Sequence, residues 1–128
     1  MYFKKHVFVL ALVVIGFASC KKDDVAVNSA LVGTWEGKWG FDDDIPTYYE
    51  KWIIKSNGDV EAYSASGLYA KGRCSVDGLN FQLEYSPIGE DYSYKFAGLF
   101  HDALGEILGT WGKAPSATNR GTFEMYKQ

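Results

Sequence analysis

Tyr48, Glu50, Trp52 and Ile54 alternate with Tyr49, Lys51, Ile53 and Lys55. The two lysines mark the wetter face of an extended segment, so the spacing predicts that Glu50 points inward between aromatic rings. A carboxylate there must be paired or partly wet, because burying a lone charge is costly. Two readings suit it. It orients a bound molecule, with Lys95 or Arg73 as a nearby cation. Alternatively the register slips by one residue and Glu50 is an ordinary solvated side chain. Asp42, Asp43 and Asp44 carry the ligand type that calcium takes, but they are adjacent rather than spaced, and read as a solvated loop. His101 and Asp102 lack a Ser or Cys nucleophile motif and read as a turn. Cys74 shows neither the base nor the electropositive setting that activates a thiol, and reads as a small apolar residue. With His6 and His101 the only histidines, a His-rich zinc site is excluded. No Gly-rich phosphate loop or dinucleotide fingerprint occurs. These residues assign no catalytic group, metal or cofactor, and point to a binding protein rather than an enzyme.

The elements that would position Glu50 follow from alternation. Residues 31–41 (LVGTWEGKWGF) place Leu31, Gly33, Trp35, Gly37, Trp39 and Phe41 on one face. Similar alternation covers 48–55, 60–65, 68–76, 79–85, 92–100, 106–112 and 120–126. Asn57-Gly58 and Asp77-Gly78 are two-residue hairpin signals. No segment has a convincing helical period. Eight short strands joined by tight turns predict an all-β, eight-stranded antiparallel up-and-down barrel. Gly-Thr-Trp occurs at Gly33-Thr34-Trp35 and again at Gly109-Thr110-Trp111, and the two strands are expected to be neighbours where the barrel closes. On the second parity Leu68, Ala70, Cys74 and Leu79 face inward. Tyr49, Tyr63, Tyr69 and Tyr126 face outward.

The amino terminus is read separately. Lys4, Lys5 and His6 precede an apolar run at 7–17, shorter than the roughly 20 residues needed to span a bilayer. This is the pattern of a secretory signal. Phe17-Ala18-Ser19-Cys20 resembles a bacterial lipobox, and Lys21-Lys22-Asp23-Asp24 looks like the surface-export signal of Bacteroidota-type lipoproteins. The expected organisation is a signal peptide at 1–19, a tether at 20–30 lipidated on Cys20, and a barrel domain at 31–128. Removing residues 1–19 from the 128 leaves 109 and takes away Lys4 and Lys5, so the formal charge moves from −3 to −5. A mildly acidic surface argues against nucleic acid as a partner.

The Gly-x-Trp of the first strand, the eight-stranded meander and a second Gly-Thr-Trp followed by Gly121-Thr122-Phe123 resemble the calycins, the group of lipocalins, fatty-acid-binding proteins and avidins. With its leader, the chain is similar to small lipocalin-like lipoproteins of Bacteroidota. The resemblance implies an outer-membrane lipoprotein, with the first-strand Trp35 packed across the barrel's base. An aromatic cup at the open end, from Trp39, Tyr48, Trp52, Tyr92 and Tyr94 with Glu50, is the expected site for a small apolar or aromatic ligand. The alternative is a filled barrel whose outward tyrosines contact an envelope protein.

Overall fold

A computed structural model describes residues 28–128. The signal peptide, Cys20 and the first part of the tether lie outside the described residues. The strands are β1 (Gly33–Phe41), β2 (Tyr48–Ile54), β3 (Asp59–Ser64), β4 (Gly67–Asp77), β5 (Asn80–Pro87), β6 (Tyr94–His101), β7 (Glu106–Lys113) and β8 (Gly121–Lys127), with a 3₁₀ turn at Asp102–Leu104 before β7. Each pairs antiparallel with the next, and β8 pairs with β1, so the sheet is a closed barrel without edges. The hairpin signals act as expected. Gly58 and Gly78 sit at φ 94° and 65°, left-handed values that glycine adopts without a side-chain clash.

Aromatic side chains fill the interior in tiers. At the closed end Trp35 is fully buried and meets Phe100 edge-on, with centroids 6.1 Å apart. Its indole Nε1 donates to the Leu31 carbonyl at 2.8 Å. Lys127 covers the ring, its Nζ 5.6 Å from the centroid, and donates to the Ala30 carbonyl at 2.7 Å. The segment before β1 is thus fastened to the end of β8. In the middle tier Trp52 stacks on Phe81 at 5.7 Å and meets Phe96 edge-on at 5.4 Å. The upper tier joins Trp39 to Trp111 at 5.0 Å. Such pairs prefer edge-to-face or offset geometry, which fixes ring orientation as well as burying area.

Three expectations from alternation are corrected. The two Gly-Thr-Trp strands are not paired: β8 lies between β7 and β1. The link between them is made by a side chain. Gly121 of β8 is in register with both Trp111 and Phe41. With no side chain there, the Trp111 indole crosses β8 and donates to the Gly40 carbonyl at 3.0 Å. Next, the β3–β4 register shifts, so that Ala62 faces Ala70 while Tyr63 faces Leu68. This bulge leaves Tyr69 unopposed, turns its ring into the barrel and leaves Leu68 exposed on the outside. Leu79 shares the parity of Phe81 and Leu83 but falls in the turn before β5, where it too is exposed.

Candidate functional site

At the end opposite Trp35 the aromatic fill stops short of the rim. A cavity of about 340 Å³ opens there, lined by Trp39, Phe41, Tyr69, Tyr85, Pro87, Tyr92, Tyr94, Phe96, Trp111 and Arg120. A second hollow of about 320 Å³ lies beside it, lined by Trp39, Tyr48, Tyr49, Glu50, Ser64, Ala65, Ser66 and Tyr69. Trp39 and Tyr69 line both and form the wall between them. Trp39 is held by its neighbours: Tyr48 stacks on it at 4.7 Å and Phe41 meets it edge-on at 5.2 Å. Tyr92 packs edge-on against Tyr94 at 5.6 Å, and Tyr94 against Trp111 at 5.7 Å.

Glu50 forms the floor. It is fully buried, so the inward register is the one observed. Its partners are neither Lys95 nor Arg73. Arg73 pairs on the outer wall with Asp59, and Lys95 lies opposite Glu84 on the outward parity of β6. Instead Trp52 Nε1 donates to Oε2 at 2.8 Å, the Tyr85 hydroxyl donates to Oε2 at 2.7 Å, and the Tyr69 hydroxyl donates to Oε1 at 2.7 Å. The two phenol oxygens also touch each other at 2.5 Å. Three oxygen–oxygen contacts in this ring need three protons. The phenols supply two, and the third is present only when Glu50 is protonated. Burial raises the Glu50 carboxyl to about 6, against the pull of the donated bonds from Tyr85, Tyr69 and Trp52. Burial likewise raises Tyr85 and Tyr69, with the Glu50 charge adding to it. Every buried polar side-chain atom among the described residues has a partner.

The expected site residues therefore divide. Trp39, Tyr92 and Tyr94 line the larger cup, Tyr92 from the segment just before β6. Tyr48 and Glu50 line the smaller hollow. Trp52 lines neither: it is completely buried beneath Glu50, which it positions. Tyr69 and Arg120 were not expected. Strict alternation placed Tyr69 outside, and only the bulge turns it in. Arg120 precedes inward-facing Gly121 and so reads as an outward residue, yet the rim brings it to the cup. No signal in the sequence marks either one. Two of the outward tyrosines are engaged with their own barrel. Tyr49 donates to Glu36, and Tyr63 donates to Glu61 and lies under Lys51. His101 faces Glu106 across the β6–β7 turn at 3.1 Å. Cys74 is buried in the wall, its thiol pushed up to about 12 by burial.

Compared with protein-family models, curated proteins and solved structures, the chain gives no significant match to any of them.

Proposed function

We propose that this is a lipid-anchored, lipocalin-like binding protein of the bacterial cell envelope, whose barrel holds a small apolar or aromatic molecule in the cup at its open end. The observation that carries this reading is the cavity of about 340 Å³, walled by aromatic rings and open to solvent at one end of the barrel. Ligand sites are typically concave and apolar, with a few placed polar groups. Here those groups are the Tyr69 and Tyr85 hydroxyls, fixed by Glu50. A barrel filled to the rim would favour the envelope-protein contact role instead.

The leader supplies the location. A lipid on Cys20 leaves residues 21–27 before the described domain, about 25 Å of chain at full extension. That chain enters at the closed end, where Lys127 and Trp35 hold Ala30 and Leu31. On this reading the cup opens away from the bilayer, toward whatever the envelope presents.

Native mass spectrometry of the protein purified from its own membranes tests the binding role. The expected result is a co-purified small molecule that is lost in Trp39→Ala. Only apo protein in both, together with no quenching of tryptophan fluorescence by a panel of small aromatic compounds, would overturn it. Replacing Cys20 with Ser is expected to release the protein from membranes.

A further inference from the structure

The larger cup has one charged residue in its lining, Arg120. Its backbone is committed to the barrel: its N–H donates to the Trp111 carbonyl and its carbonyl accepts from Asp42. Among the described residues its guanidinium has no ion-pair partner; the Lys and Arg ion pairs present are Lys55–Glu61 and Arg73–Asp59. A second cation stands on the same side. Lys113, at the end of β7, lies over the Tyr92 ring with its Nζ 4.8 Å from the centroid. The rim's carboxylates, Asp42–Asp44 and Glu90–Asp91, are exposed and line neither cup. Salt screens exposed charges within about 8 Å, whereas a cation in contact with an occluded ligand is screened far less.

Resting on the binding role above, we infer that the cup selects a planar aromatic monoanion, its ring system held among Trp39, Tyr94 and Trp111 and its carboxylate on Arg120. A guanidinium presents paired N–H donors whose spacing matches a carboxylate, and its flat face tolerates aromatic neighbours. A quaternary ammonium would suit an aromatic box lacking a cation. Here it would meet Arg120 at the wall.

The test uses three probes of one shape with the full chain in detergent: naphthalene-2-carboxylate, naphthalene-2-carboxamide and trimethyl(2-naphthyl)ammonium, titrated by tryptophan fluorescence and calorimetry. A charge-assisted hydrogen-bonded pair predicts the carboxylate to bind about tenfold or more tighter than the carboxamide. Arg120→Gln should abolish that preference while leaving carboxamide affinity unchanged. Arg120→Lys should keep part of it, and circular dichroism should show both variants folded. Equal binding of carboxylate and carboxamide, or tightest binding of the ammonium, overturns the anion preference and leaves the binding role standing. Binding of none of the three also overturns the anion preference, while the binding role stands or falls on the co-purification test above.

Discussion

The hydroxyl oxygens of Tyr69 and Tyr85 lie 2.5 Å apart, and each also reaches the Glu50 carboxylate. Those residues come from β4, β5 and β2, so a ring of four oxygens ties three strands together under the cup.

The first consequence is a pH dependence of stability. The Glu50 carboxyl rises from an ordinary 4.5 to about 6 on folding. Between those values the folded state binds more protons than the unfolded one, so this contribution to stability is fully present below about pH 4.5. It is lost as pH rises through about 6, by about 2 kcal/mol in total. Glu50→Gln keeps an acceptor for Tyr85 and Trp52 and supplies a permanent donor toward Tyr69. Urea unfolding at pH 4.5 and 7 should show the Gln variant losing about 2 kcal/mol less than wild type between the two.

Removing the polar centre has the opposite outcome. Glu50→Leu leaves the Trp52 indole and one of the two tyrosine hydroxyls without an acceptor, since the hydroxyls can still bond each other. Each unpaired buried donor costs about 1–3 kcal/mol, so a loss of about 2 kcal/mol or more is expected by denaturant unfolding. Stability equal to that of the Gln variant would show that the ring is not needed.

Lys127 fastens the closed end by a hydrogen bond to Ala30 and by its position over Trp35. Lys127→Met keeps the aliphatic cover and removes the charge. A cost of about 1–2 kcal/mol is expected. Amide and indole exchange should quicken first at Leu31 and Trp35, with the cup and its ligand affinity unchanged.

Gly121 makes room for Trp111 to reach Gly40. A Cβ there would lie 1.9 Å from the Gly40 carbonyl oxygen. Gly121→Ala should force β8 away from β1 and cost about 2–3 kcal/mol, consistent with overpacked sites. The Trp111 indole N–H resonance should shift as its bond to Gly40 lengthens.

Trp39 divides the cup from the neighbouring hollow, so Trp39→Ala should merge the two spaces. Binding of aromatic probes is expected to weaken about tenfold or more, since two or three ring contacts disappear. The loss of quenching by ligand, measured against Trp111 as the remaining reporter near the mouth, checks this.

Much of the barrel was legible because its signals are local. Alternation in 48–55 points Glu50 inward and Lys51 and Lys55 outward, but a one-residue slip would reverse both, and only the strand pairing removes that alternative. Asn57-Gly58 and Asp77-Gly78 located two turns by backbone chemistry alone. Trp35 and Trp39 could be told apart by their distance along one strand, about 13 Å at the usual rise. The failures are non-local. Leu68 and Tyr69 exchange faces because of one extra residue in β4, a choice made by pairing with β3 and not by either sequence. The two Gly-Thr-Trp segments are alike but serve opposite ends of β8: Trp35 lies across from Lys127 and Trp111 across from Gly121.

What the sequence by itself determined is the period of the strands and the positions of the turns, since each rests on residues a few positions apart. Only the tertiary structure decided which groups answer the Glu50 carboxylate, that Tyr69 turns inward, that the fill stops beneath the rim, and that Arg120 stands at the cup. Those depend on which strands lie side by side around a closed ring, and partners 19 and 35 residues from Glu50 meet it only because the barrel closes.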